Sequence, residues 1–241
     1  MRMRNNGWAV STVMTRQNFI PSQENEKVGV NGLIPFWDMC NHTNGYLSTQ
    51  YKSDKSECLA CKSFKKGEQV LMFYGQRSNC DFFVHNGFTY DGNEHDSFRF
   101  RLGISKADKL HDERCQLLKS LGVPDSGDFD IYSGAEPVRE QLLSFLRIFN
   151  MDLDHLNHWK SSSRLSDLMW KDCALDTKVE SKVWTFLFNR IKLLLLPYDK
   201  IAEVQDDPTL TECRRLVRKH LSLERKFLRT TLEYVEQRIK L

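Results

Sequence analysis

No apolar run in this 241-residue chain approaches the roughly 20 residues that a helix needs to cross a membrane. The longest, "IKLLLL" before Pro197, is short and flanked by charge. The N-terminus "MRMRNNGW" has arginines but no apolar core, so it does not read as a secretory signal. There is no internal repeat and no low-complexity tract, which sets aside solenoid and linker architectures. Glycine-rich phosphate loops are missing. Charge of one sign is missing too: 35 Lys and Arg against 32 Asp and Glu leave a net +3, too mild to suggest nucleic acid as a partner. The cluster "ECRRLVRKHLSLERKFLR" is more basic and could meet an acidic partner or nucleic acid, although a solvated helix face is the plainer reading.

What is present describes a globular protein: 40% hydrophobic, 28% charged, 11% aromatic. Seven cysteines without a secretory signal imply free thiols in a reducing compartment, the cytoplasm or the nucleus.

The chain changes character near residue 100. Before it, short strand-like runs alternate with polar turns: "ECLACKSF" alternates, "KKGE" is a turn signal, and "QVLMFYG" is rich in strand formers, the pair reading as a hairpin or two sequential strands. This piece is too short to bury a good core by itself. After it, helical spacing dominates. "SKADKLHDERCQLLKSLG" predicts a helix from an N-cap at Ser105, with Leu110, Leu117, Leu118 and Leu121 on one stripe, ending at Gly122 and Pro124. "EPVREQLLSFLRIF" predicts one starting at Pro137, with Val138, Leu142, Phe145, Leu146 and Phe149 inward. "SKVWTFLFNRIKLLLL" predicts another that Pro197 ends, and the segment from Pro208 onward predicts one long helix or two with a bend. Residues 157–180 are too polar and irregular to assign. The expected fold class is α+β, with a β-rich part over residues 1–96 and an all-helical domain over 97–241.

Four polar segments lie in the first part: "MTRQN", "WDMCNHTNG", "FYGQRSN" and "HNGF". Taken singly each is weak, since a lone Tyr74 at a strand end or a lone His42 is more often structural than catalytic. Zinc is not supported. Cys58-x-x-Cys61 has no second pair at finger spacing, and Cys40 and His42 do not complete a site. A thiol hydrolase is not supported either, because Cys40 and His42 are too close in sequence to meet as nucleophile and base.

The order of these segments carries more. An Asn-His pair followed some thirty residues on by "EQVLMFYG" resembles the C-terminal half of a SET-domain methyltransferase. The wider set "WAVSTVMTRQN", "LIPFWDMCNHTNG", "KGEQVLMFYGQRSN" and "HNGF" resembles the subfamily that joins a SET domain to a helical substrate-binding domain of the Rubisco methyltransferase type. Within it, the segments are most similar to the protein-histidine branch that acts on actin. The resemblance is dense from Trp8 to about Gly103 and thins to helix patterns afterwards.

This resemblance implies S-adenosylmethionine as cofactor and a protein substrate, actin, with no membrane partner. It implies that Arg16, Asp38, Met39, Cys40, Asn41 and His42 line the cofactor site and that Asn86, Gly87 and Phe88 continue it. Tyr74 would sit at the reacting methyl group and Asn18 in the target pocket, both catalytic, while Trp37 flanks the target and Arg77 holds the substrate peptide. No metal is implied. The subfamily usually has serine where this chain has Asn86. Its N-terminal half of the SET domain has no counterpart here, so the chain reads as truncated and is expected to be weak or inactive alone.

Histidine is favoured over lysine on chemical grounds. A lysine must first lose a proton, at about 4.6 kcal/mol at pH 7, whereas an imidazole is already mostly neutral. The imidazole needs its tautomer and ring orientation set instead, which an amide such as Asn18 can do. The alternatives are a protein-lysine (histone) methyltransferase and a non-catalytic protein-binding fragment.

Overall fold

The computed structural model describes residues 2–25, 27–46, 49–52, 54–173, 175–200 and 210–240. The chain divides into two compact units, 1–94 and 95–241.

The first unit opens with helix α1 (Arg2–Arg16). Its run of Ser, Thr and Val has low helix propensity, but hydroxyls fold back onto the preceding turn. Ser11 donates to the Gly7 carbonyl at 2.7 Å and Thr12 to the Trp8 carbonyl at 2.9 Å. Three small sheets follow. Strands β1 (Asn18–Pro21) and β2 (Gly29–Gly32) pair antiparallel, as do β4 (Thr49–Tyr51) and β5 (Ser56–Cys58). Strand β3 (Asn41–His42) instead pairs parallel with β6 (Leu71–Met72). "ECLACKSF" and "QVLMFYG" are therefore sequential strands with different partners, not a hairpin. A short helix α2 (Asn79–Asp81) runs directly into a π-turn, Phe82–Asn86. Among the described residues of this unit only Met72, Phe73 and Phe82 are buried apolar side chains, while Trp8 and Phe36 are 72% and 84% exposed.

The second unit holds the main core and is not all-helical. Strands β7 (Ser97–Gly103) and β8 (Ser126–Tyr132) pair antiparallel over their whole length. Their alternation puts Phe100, Leu102, Phe129 and Ile131 into the core. The opposite face carries Arg99 across from Asp130, with Nε at 2.9 Å from the carboxylate.

Helix α3 (His111–Ser120) begins well after Ser105. Ser105 and Asp108 cap turns instead, accepting from the Ala107 and Leu110 amides at 3.2 and 2.9 Å. Gly122, at φ 68°, closes α3 in a left-handed conformation. Helix α4 (Glu140–Asn150) starts three residues beyond Pro137, and its inward face includes Leu142, Phe145 and Leu146. The segment 157–180 resolves into the end of α5 (Leu153–Ser161), a 3-10 turn (Leu165–Met169) and the start of α6 (Thr177–Asp199).

Pro197 lies within the last turn of α6 rather than ending it. Only its missing N–H is lost there, and Lys200 still donates to the Pro197 carbonyl at 3.3 Å. Pro208 lies outside the described residues. Helix α7 (Glu212–Ile239) is one helix of 28 residues, packed along α6 through Leu228, Thr231 and Val235.

Candidate active site

The parallel pairing of β3 with β6 sets Asn41 beside Leu71 and His42 beside Met72, which delivers Tyr74 to the end of β3. Tyr74 is then tied at both ends. Its backbone N–H donates to His42 Nδ1 at 3.3 Å and its hydroxyl donates to the Cys40 carbonyl at 2.5 Å. The His42 ring is buried among aromatics, with centroids 4.6 Å from Phe82, 4.8 Å from Tyr90 and 5.3 Å from Tyr74. Burial raises the Tyr74 phenol above the usual tyrosine value, and negative charge at Cys40 adds to this, while Arg16 and Arg77 pull the other way. The Cys40 thiol is also raised, by burial first and then by Cys58 and Asp38. Both groups therefore hold their protons at neutral pH.

The wall facing Tyr74 comes from the end of α1 and the turn before β3. Phe36 adopts φ 71°, an uncommon conformation for a residue with a side chain, and turns the chain into the short 3-10 helix Trp37–Met39. Arg16 Nη1 donates to the Asp38 carbonyl. Asn18 Nδ2 donates to the Arg16 carbonyl at 3.3 Å, and the Trp37 ring meets Tyr51 at 5.8 Å.

The π-turn forms the third side. Ser78 and Asp81 reciprocally cap α2, which leads into it, and Gly87, at φ 77°, ends it. A π-turn contains one residue more per turn than an α-helix and often marks a functional site. Asn86, its last residue, accepts from Arg77 Nη1 at 3.0 Å and donates to the Thr15 carbonyl at 3.3 Å, joining the three sides.

Between them lies a cleft of about 770 Å³, the size of a small-molecule site. Seven of the residues singled out from sequence line it: Arg16, Asn18, Trp37, Asp38, Tyr74, Arg77 and Asn86. The other six do not. Cys40 and His42 brace Tyr74 from behind, Phe88 stacks on Phe82 at 4.9 Å, Gly87 closes the π-turn, and Met39 and Asn41 face solvent. Phe19, Asn31, Tyr51 and His85 line the cleft without having been expected there. Strand pairing and the π-turn bring them in, and of the four only His85, the first residue of "HNGF", stood in a segment singled out from sequence. No group of three His, Cys, Asp or Glu side chains converges as metal ligands would among the described residues. No helix among them is long and apolar enough to cross a membrane.

The fold is that of SET-domain methyltransferases. Rubisco LSMT bound to AdoMet superimposes with a TM-score of 0.59 at 19% identity, over 95% of this chain and 55% of that one. The SET domain of LSMT bound to lysine and AdoHcy gives the same TM-score, 0.59, at 19% identity, over 95% of this chain and 56% of that one. The chain belongs to the Rubisco LSMT substrate-binding family, whose sequence pattern matches residues 105–239. It is similar to actin-histidine N-methyltransferases: 39% identical to that of Gallus gallus, over 97% of this chain and 40% of that protein, and 42% identical to that of Homo sapiens, over 81% of this chain and 34% of that protein. The chain thus spans about 40% of the length of the curated relatives it matches.

Proposed function

We propose that this chain acts as an S-adenosylmethionine-dependent protein methyltransferase whose target is a histidine side chain of actin. Residues 1–96 would act as the C-terminal half of a SET domain, and residues 97–241 would grip the protein substrate. The observation that carries the reading is the double tether of Tyr74 at the cleft that also holds Asn18. The similarity to actin-histidine N-methyltransferases supplies the target.

The cleft's donor set suits the proposed cofactor. Arg16 would take a carboxylate and Asp38 an ammonium, the two charges of an amino-acid end, and Asn86 adds an amide beside them. When bound, S-adenosylmethionine supplies an electrophilic methyl group on a positively charged sulfur.

The rest of the chemistry falls to alignment. The Tyr74 hydroxyl commits its hydrogen to the Cys40 carbonyl, so its lone pairs are left to face a polarised methyl group. Asn18 commits its NH₂ to the Arg16 carbonyl, which leaves Oδ1 as an acceptor in the target pocket. An imidazole donating its N–H to that oxygen presents the other nitrogen, with its lone pair, for attack. The imidazole would form the new N–C bond with that lone pair as the C–S pair left with the sulfur, and would then shed its N–H proton to water.

The test is methyl transfer from labelled S-adenosylmethionine to actin, with the modified residue identified after hydrolysis. Methylhistidine is the expected product. Transfer by the isolated chain is expected to be slow, because the first unit buries few apolar side chains to hold the cleft rigid. Label on lysine would select the lysine reading, and failure to bind the methyl donor at millimolar concentration would overturn the cofactor site.

A further inference from the structure

The second unit carries a face built of aromatic and cationic side chains. Four segments distant in sequence build it: the end of β8 with the loop to residue 139, the turn at 170–172, the first half of α6, and the last turns of α7. The Arg139 guanidinium lies over the Tyr132 ring at 4.2 Å, while its Nε donates to the Glu136 carbonyl at 3.1 Å. Arg238 lies over Tyr234 at 5.1 Å and Trp184 at 5.8 Å. Lys171 pairs with the Glu136 carboxylate.

These groups share one electrostatic neighbourhood. The Glu136 carboxyl is held below the usual carboxylate range, by the Lys171 hydrogen bond first, with Arg139 and Arg238 acting in the same direction. Asp172 is the further acid that bears on Lys171. Among these five groups the three cations, Lys171, Arg139 and Arg238, outnumber the two carboxylates, Glu136 and Asp172, by one. Next to Lys171 in the chain, Trp170 is 57% exposed, yet its carbonyl is pinned by the buried Arg147 at 2.7 Å. Tryptophan, tyrosine and arginine on a rigid backbone are the side chains that dominate protein interfaces.

We propose that this face docks an acidic segment of a protein partner, with Asp and Glu carboxylates on Arg139 and Arg238 and an apolar side chain on Trp170. A guanidinium stacked on a ring keeps its edge N–H groups in the plane that meets a carboxylate. Arg139 and Arg238 lie over Tyr132 and Tyr234 and Trp184 is buried, so of these rings Trp170 alone is well exposed, whereas single-stranded nucleic acid needs successive open aromatic faces. The proposal rests on the reading that residues 97–241 grip a protein substrate, and the peptide-binding experiment reads that face separately from methyl transfer and from which residue is methylated.

The experiment is fluorescence anisotropy of the full chain with a short labelled peptide of Asp and Glu around a central Leu-Phe pair. The Arg139→Glu/Arg238→Glu double variant should weaken binding by about tenfold or more, as expected for reversing charges at an interface. Arg139→Lys/Arg238→Lys keeps the charge and should lose several-fold, because ammonium groups lack the fork geometry. Lys219→Glu/Lys226→Glu, elsewhere on α7, should stay within about twofold of the parent. A labelled oligothymidylate should bind more weakly than the peptide. Thermal denaturation confirms that each variant is folded. Unchanged binding by the Arg139→Glu/Arg238→Glu variant, equal loss in the Lys219→Glu/Lys226→Glu variant, or tighter binding of the oligothymidylate would each overturn the proposal.

Discussion

The Tyr74 hydroxyl donates a 2.5 Å hydrogen bond to the Cys40 carbonyl, joining the end of β6 to the turn that leads into β3. The bond orients the phenol oxygen and leaves its accepting side towards the cleft. Tyr74→Phe should therefore lower turnover by at least tenfold while changing the dissociation constant for the methyl donor by less than about threefold, because the oxygen matters most where the methyl group is moving. Calorimetric titration gives the constant and labelled transfer gives the rate. Equal turnover in the variant would remove Tyr74 from the reaction.

The same phenol predicts a pH dependence. Burial raises its folded-state value above the ordinary tyrosine value near 10, so the folded chain keeps the proton after the unfolded chain has lost it. Its contribution to stability is complete below about pH 10 and is lost as pH rises through the folded value. Ultraviolet difference titration of the parent against Tyr74→Phe should show one tyrosine ionising later than the exposed ones. A tyrosine signal lost at the ordinary value would contradict the buried, tethered hydroxyl.

Asn18 offers an amide oxygen in the cleft, its NH₂ being engaged by the Arg16 carbonyl at 3.3 Å. Asn18→Phe would remove the acceptor proposed to set an imidazole's tautomer and add an apolar wall suited to a lysine stem. The ratio of kcat/KM for histidine- over lysine-containing actin peptides should fall by about tenfold or more, since specificity is a difference between two binding free energies. A variant that kept the full histidine preference would show that Asn18 does not set it.

Asn86 holds Arg77 at 3.0 Å and the end of α1 at 3.3 Å with one side chain. Asn86→Ser is too short to reach both. Two hydrogen bonds of roughly 1 kcal/mol each are at stake, and at least one should be lost. Hydrogen exchange at residues 14–17 should speed up by about fivefold, with little change in the second unit. Unchanged exchange would mean that α1 is held by other contacts.

How far these relationships could be seen in the sequence depends on distance along the chain. Asn18, Trp37, Asp38, Tyr74 and Arg77 stand in the compact polar segments that the sequence marks out, and the cleft brings all five together. Tyr51 and Asn31 reach the same cleft only through strand pairings, and no local pattern specifies those. The π-turn has no signature in "FFVHN", because its extra residue is set by what packs around it. Helix α1 was hidden by its hydroxyl and β-branched residues, which satisfy the backbone in ways that propensity does not register. Strands β7 and β8 are a different case. "SFRFRLG" and "SGDFDIY" both alternate cleanly, yet the helical spacing that follows each of them outweighed two short period-two runs.

Arg147 shows the same point within the core and carries the last prediction. On α4 it occupies an apolar-facing position at 1% exposure, among Leu143, Leu146 and Ile148. A charge so deeply buried persists only if it is fully paired. Its Nε donates to Glu180 on α6 at 2.7 Å, and Nη1 donates to the Leu168 and Trp170 carbonyls at 2.9 and 2.7 Å. It is the clasp that fixes the irregular segment before α6, where neither helical nor strand spacing is present to do so. Arg147→Ala would leave the Glu180 carboxylate and two carbonyls without their donor as well as a void. The expected loss is about 3–5 kcal/mol, measured by urea denaturation followed by circular dichroism. Arg147→Met/Glu180→Leu fills the void and removes the stranded carboxylate, so it should recover part of that loss while the two carbonyls remain unpaired. A loss of less than about 1 kcal/mol for Arg147→Ala would show that the clasp holds nothing. A double variant no better than the single one would place the cost in the carbonyls rather than in the buried charge.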